Sequence, residues 1–233
     1  MTKNSLEIIQ TLVNVALYQQ EAKDGEEAPP SPPAPPLVTL SRGCGAGGAE
    51  ISELLAERLG VHLYDRDLLK AIVKETKADK HLMERLDERV PSIVDDLVLA
   101  FFAKKSTTKD NFYRYMVKVI LNICPSGGVI VGRGAHLLIP QKSPVFRVRI
   151  EGSSKACIKR VAKRKELKKS KAAQFIEKVD AERAKFVKRI RKRYPTVSLD
   201  SEFDMVLSTD RLTNEQAVAI IASAMKEMGF NIS

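Results

Sequence analysis

The chain has 233 residues, 44% of them hydrophobic, and a formal net charge of +10; that suits one sizeable domain with a real core, plus an appendage. No apolar run approaches the roughly 18–20 residues of a membrane span, and the opening residues have neither a basic n-region nor a cleavage site, so neither anchor nor signal peptide is expected. The three cysteines, Cys44, Cys124 and Cys157, are odd in number, far apart and free of CxxC or His/Cys spacing; this excludes a disulfide framework and a zinc finger and fits a reducing, cytoplasmic setting.

Residues 5–18 place Leu6, Ile9, Leu12, Val13 and Leu17 at helical spacing, which predicts a short amphipathic helix. Its apolar face is a surface for the domain or for a second subunit, hence for a homo-oligomer. Without a basic flank or large anchors it does not read as a membrane-surface helix. Six prolines between Pro29 and Pro36 then form a semi-rigid spacer. Residues 1–36 are therefore an N-terminal helix and Pro-rich linker, and the globular domain is expected over residues 37–233.

That domain opens with LVTLSRGCGAGGAEIS, Leu37 to Ser52. A strand over Leu37–Leu40 runs into a glycine turn and then a helix from about Ala49 to Leu59, ended by Gly60. Such a turn is a phosphate cradle: glycines let the backbone approach an anion, and the helix N-terminus faces it with free N–H groups. Gly43 and Gly48 have the spacing of G-x-x-x-x-G-K-[ST], but Ala49 and Glu50 stand where the lysine and the magnesium-binding hydroxyl belong. Cys44 lies beside a helix N-terminus, which can lower a thiol pKa; as a small turn-filling residue it needs no such role.

Val61–Tyr64 is a second short strand delivering Asp65, Arg66 and Asp67 to its C-terminal end, where ligands bind in open α/β sheets. Asp65 serves either there or as a cap for a helix starting near Asp67. His62 reads as a strand side chain. Residues 67–123 have helical periodicity broken at Pro91 and at KKSTTKDN, a helical insertion whose Phe101, Phe102, Phe112, Tyr113 and Tyr115 face either a base or the core. Val129–Val131 is a central parallel strand by its β-branched run, ending in Gly132-Arg133-Gly134. Pro144–Ile150 alternates in a way that predicts one less buried side. Ser153 caps a basic helix, Phe203–Ser208 is the last strand, and residues 214–228 the last helix.

Charge is concentrated. Between Lys155 and Arg193, 17 lysines and arginines stand against 4 acids, a surplus of +13 where the rest of the chain carries −3. The segment wants an anionic partner. Nucleotide phosphates suit it better than nucleic acid, because only Phe175, Phe186 and Tyr194 interleave its charges.

Alternating strands and helices from residue 37 to 229 argue for a three-layer α/β domain on a parallel sheet, P-loop-like by its first turn. Phosphoryl transfer needs a cradle, cations over the transferred group, and usually a magnesium ligand. The candidates are the loop Gly43, Cys44, Gly45, Ala46, Gly47, Gly48, the acid Asp65, and the cations Arg42, Arg133, Arg160, Arg164 and Arg183. Each has a plainer role: Arg42 braces the turn, Arg160 and Arg164 belong to a solvated basic helix, Asp180 and Arg183 form an i,i+3 pair. Arg133, set between two glycines after an apolar strand, is hardest to explain as surface filler.

The ordered motifs SRGCGAGGAEISELLAERLGVHLYDRDLL, VIVGRGAHLL, VFRVRI…CIKRVAKR, VDAERAKF and FDMVLSTDRLTNEQAV resemble the cytidylate kinase-like family over about residues 37–229. The resemblance implies a helical monophosphate-binding insertion (about 67–123), a basic helical lid (about 160–195), ATP as donor, Mg2+, and CMP or dCMP as acceptor. It implies that Gly43–Gly48, with Ala49 and Glu50, cradle the donor phosphates. Asp65 and Arg66 match a YDR-type element near the acceptor, and Arg133 an arginine on the acceptor phosphate. Arg160 and Arg164 match the arginines opening the lid. Asp180 and Arg183 match its D-x-x-R, whose arginine reaches the transferring phosphate. Where the family commonly reads GSGGRE this chain reads GAGGAE, so Ala49 brings no cation and Glu50 is left as the candidate metal ligand. Two readings follow: a nucleoside monophosphate kinase-like phosphotransferase, or a catalytically degenerate nucleotide-binding relative that senses nucleotide or binds a partner.

Overall fold

The computed structural model describes residues 34–65, 108–139, 143–193 and 202–232. The N-terminal helix, most of the spacer and of the insertion, and Arg66 lie outside these residues, as do the side chains of Phe112, Tyr113 and Tyr115.

Among the described residues five strands form one parallel sheet. They are β1 (Leu37–Arg42), β2 (Leu63–Tyr64), β3 (Gly128–Val131), β4 (Phe146–Glu151) and β5 (Met205–Ser208), in the order β2-β3-β1-β4-β5. β1 is central, with Val38 opposite both Val129 of β3 and Phe146 of β4. The chain leaves β1 towards β2 and β3 and returns past it to β4, so the loop after β1 sits where the strand order reverses. Open α/β sheets bind ligands at that point.

The strand residues alternate between two helical layers. Val38, Leu40, Val129, Val131, Phe146, Val148 and Ile150 pack under α1 (Gly48–Leu59) and α6 (Asn214–Glu227). Leu37 and Ile130 face α2 (Thr108–Ile123) and the short turn α3 (Ala135–Leu138), closed by Ile190 near the end of α5 (Lys169–Arg193). α4 (Ser154–Lys165) precedes α5, and Ser153 caps it as the sequence predicts, accepting from the Ala156 N–H. Thr213 and Gln216 form a full capping box on α6, worth about 1 kcal/mol.

Several boundaries shift. β1 runs two residues past Leu40 because Ser41 and Arg42 keep pairing with β4. β2 is only Leu63–Tyr64, at the sheet edge. The last strand starts at Met205, since Asp204 turns its carboxylate to the Arg147 N–H. Contacts with the sheet start before Leu37: the Pro36 carbonyl accepts from the Gly128 N–H. The less buried side expected for β4 holds at Arg149 but fails at Arg147, which is 6% exposed. Its guanidinium donates to the carbonyls of Ile139, Val145 and His136, and the Asp204 carboxylate nearby adds a favourable charge, which together satisfy a buried cation.

Candidate phosphate-binding site

The loop Gly43–Gly48 is held at its base by the Gly43 N–H, which donates to Ile150 of β4. Gly45 and Gly47 take φ of +83° and +81°, a region where a side chain costs about 1–2 kcal/mol. At Gly45 space forbids one as well: a Cβ would lie 2.8 Å from the Cys157 carbonyl and 2.9 Å from Val161. α4 therefore lies directly on the loop. Arg42 braces the turn, its stem packed where a Gly48 Cβ would be.

Three side chains from the basic segment fasten to the loop. Asp180 of α5 accepts from the Cys44 N–H at 3.0 and 3.2 Å. Arg183, one turn on, donates to the Arg42 carbonyl at 3.0 Å and pairs with Asp180 at 3.3 Å. The i,i+3 pair is thus part of a tertiary contact. Arg160 of α4 donates to Gly45 O at 3.3 Å, Thr209 Oγ1 at 3.0 Å and Thr209 O at 2.6 Å. The Thr209 hydroxyl passes the link on to the Ala46 carbonyl at 2.9 Å.

Arg164 shares a helix face with Arg160 but has a different partner, Glu50, at 3.1 Å. The other carboxylate oxygen of Glu50 is buried and has no hydrogen-bond partner. A cavity of about 420 Å³ opens here, lined by Gly45, Gly47, Glu50, Arg160, Lys163, Arg164 and Asn214. A larger one, about 660 Å³, lies between α1 and α6 on Leu54, Val218 and Ile232; none of the loop residues lines it.

Arg133 stands between Gly132 and Gly134, all three at positive φ, its own being +55°. A non-glycine residue held there marks stored strain of the kind that collects at functional sites. Its guanidinium lies 5.7 Å from the Phe186 ring of α5, and the Gly132 N–H donates to Leu40 of β1. One face of α5 thus carries Asp180 and Arg183 to the glycine loop and Phe186 to Arg133. Asp65 is exposed at the end of β2, two strand positions from the loop.

Cys44 does not behave as an activated thiol. It is 6% exposed, and burial raises its pKa, outweighing the lowering by Arg183. Sequence reasoning also missed Thr209, Lys163 and Asn214. The polar Ser-Thr-Asp run straight after an apolar strand was a signal for the first; the other two have none beyond nearness to the basic helix and the last helix.

A five-stranded parallel sheet, a glycine loop after its central strand and basic helices laid on that loop define a P-loop kinase-like protein. The chain belongs to the cytidylate kinase-like family, whose model matches residues 37–211, and it is a nucleotide kinase-like protein. Its fold is similar to the crystal structure of an uncharacterized protein from Eubacterium ventriosum, with 16% identity, 82% of this chain and 98% of that chain covered, and a TM-score of 0.59. A shikimate kinase from Bacteroides thetaiotaomicron aligns at 13% identity over 82% of this chain and 98% of its own, with a TM-score of 0.44. No curated protein matches the chain. No helix among the described residues is long and apolar enough to cross a membrane.

Proposed function

We propose that the protein transfers a phosphoryl group from ATP to a pyrimidine nucleoside monophosphate, CMP or dCMP. The observation that carries this reading is α5. One helix lays Asp180 and Arg183 on the donor loop and packs Phe186 against Arg133, so the donor cradle and the acceptor-side arginine are joined through a single element. Gly43–Gly48 cradle the donor phosphates. Arg183 closes on the transferred group, and Arg133 holds the acceptor phosphate, with Asp65 and Arg66 also serving the acceptor. Arg160 serves the site by fixing the loop rather than by touching nucleotide.

Magnesium fits a single residue here. Among the described residues no group of three His, Cys, Asp or Glu converges, but Mg2+ needs only one or two carboxylates beside phosphates and waters. Glu50 has a buried oxygen without a hydrogen-bond partner at the start of α1 and would hold it. When bound, the ion neutralises phosphate charge; Glu50 meanwhile anchors Arg164.

The degenerate reading is favoured by Ala49, which leaves the loop without its cation. The test is ADP production from ATP and Mg2+ with each monophosphate in turn, and with an Arg183→Ala variant. Turnover led by CMP, and lost in Arg183→Ala, supports the kinase. Thermal stabilisation by nucleotide without turnover supports the degenerate relative.

A further inference from the structure

We infer that Lys163, on α4, supplies over the donor phosphates the positive charge that the glycine loop lacks at Ala49. This rests on the reading of the loop as a nucleotide cradle. The loop offers N–H groups and a helix end, and Glu50 adds a negative charge beside them, so a triphosphate arriving there needs a cation from elsewhere. Three cations line the cavity: Arg160, Lys163 and Arg164. Two are committed to the protein. Arg160 makes three bonds to Gly45 and Thr209, and Arg164 is paired with Glu50.

Lys163 is exposed, three residues beyond Arg160 on the same helical face, and no hydrogen bond or ion pair ties it to any other described residue. Its neighbour Lys165 is turned away, with its ammonium 4.7 Å from the Phe175 ring. A lysine is a compact ammonium on a flexible stem, the kind of point charge a phosphate cradle uses. Because Gly45 has no Cβ, α4 lies close enough to the loop to deliver it. The cation has thus changed elements, from the first turn of α1 to the facing helix.

The test is calorimetric titration of the full chain with inorganic triphosphate and with ATP. Lys163→Ala should weaken both by about tenfold to a hundredfold, the worth of one charge-assisted bond. Lys165→Ala, which removes the same charge from the same helix, should leave both unchanged. Ala49→Lys placed in the Lys163→Ala background should restore binding, since Ala49 is exposed and accepts the longer side chain. Wild-type affinity in Lys163→Ala, or a loss that appears in Arg164→Ala instead, overturns the assignment. A wild-type chain that binds triphosphate through Lys163 but takes ATP no better keeps the assignment and defeats the nucleotide reading. A chain that binds neither probe defeats both.

Discussion

Arg160→Ala tests whether this arginine is a structural clamp or a nucleotide ligand. Its guanidinium bonds Gly45 O, Thr209 Oγ1 and Thr209 O at 3.3, 3.0 and 2.6 Å, and Thr209 is only 2% exposed. A hydrogen bond to a charged group is worth about 1.5–3 kcal/mol. The 3.3 Å contact is weak, and water reaching the vacated space recovers part of the rest. The net loss should be about 2–3 kcal/mol, which at about 2–4 °C per kcal/mol lowers Tm by about 5–10 °C. Arg160→Lys keeps the charge but not the fork geometry, and should lose about half as much. The measurement is urea unfolding without nucleotide, read as a shift in midpoint at constant slope. A variant with wild-type stability and weakened nucleotide binding would refute the clamp and return Arg160 to the role its motif implies.

Gly45→Ala should destabilise by at least about 2 kcal/mol, combining the left-handed φ with a Cβ that meets the backbone of α4; a chemical denaturation midpoint checks it, and an unchanged midpoint would mean α4 can lift freely off the loop. His136 is 4% exposed and its pKa is pushed down to about 4, by burial first and then by Arg191, Arg149 and Arg147. The unfolded chain takes up that proton near pH 6.5 and the folded chain only near 4, so stability is full above 6.5 and falls on acidification through that window. Between pH 7 and 5 the loss should be about 2 kcal/mol, and His136→Gln should flatten the slope; an equal slope in the variant removes His136 as its source. Glu50→Gln should change stability by less than about 1 kcal/mol, because its pair with Arg164 is largely exposed. It should nevertheless reduce the gain in ATP affinity that Mg2+ brings, and an undiminished gain in isothermal titration would remove Glu50 as the metal ligand.

The strands and the loop were legible because their signals are local. An apolar β-branched run predicts a central strand wherever it occurs, and glycines at fixed spacing between strand and helix predict an anion cradle. The ends of β1 and β5 were not legible, since pairing of Ser41 and Arg42 with β4 and the turning of Asp204 towards Arg147 are decided by neighbours far along the chain. Arg147 shows the same limit from the other side. Alternation places it on the face opposite Val148, but the three carbonyls and the Asp204 carboxylate brought around it by other elements explain how a cation is buried there.

The basic segment is where periodicity says least. Spacing puts Arg160 and Arg164 on one face of α4, yet it cannot say that the face is divided between Thr209 and Glu50, 49 and 114 residues away. Nor does the spacing of Asp180 and Arg183 reveal that the pair closes on Cys44 and Arg42, 136 and 141 residues back. A surplus of +13 suggests cations to spare, but both arginines that line the cavity at the loop, Arg160 and Arg164, are already matched to a carbonyl or a carboxylate. What decides the chemistry is therefore not how much charge the segment holds but which charge is left uncommitted when the helices are laid on the loop. By that criterion the deficit at Ala49 is a question about α4, and a variant series in the loop alone would miss the residue that answers it.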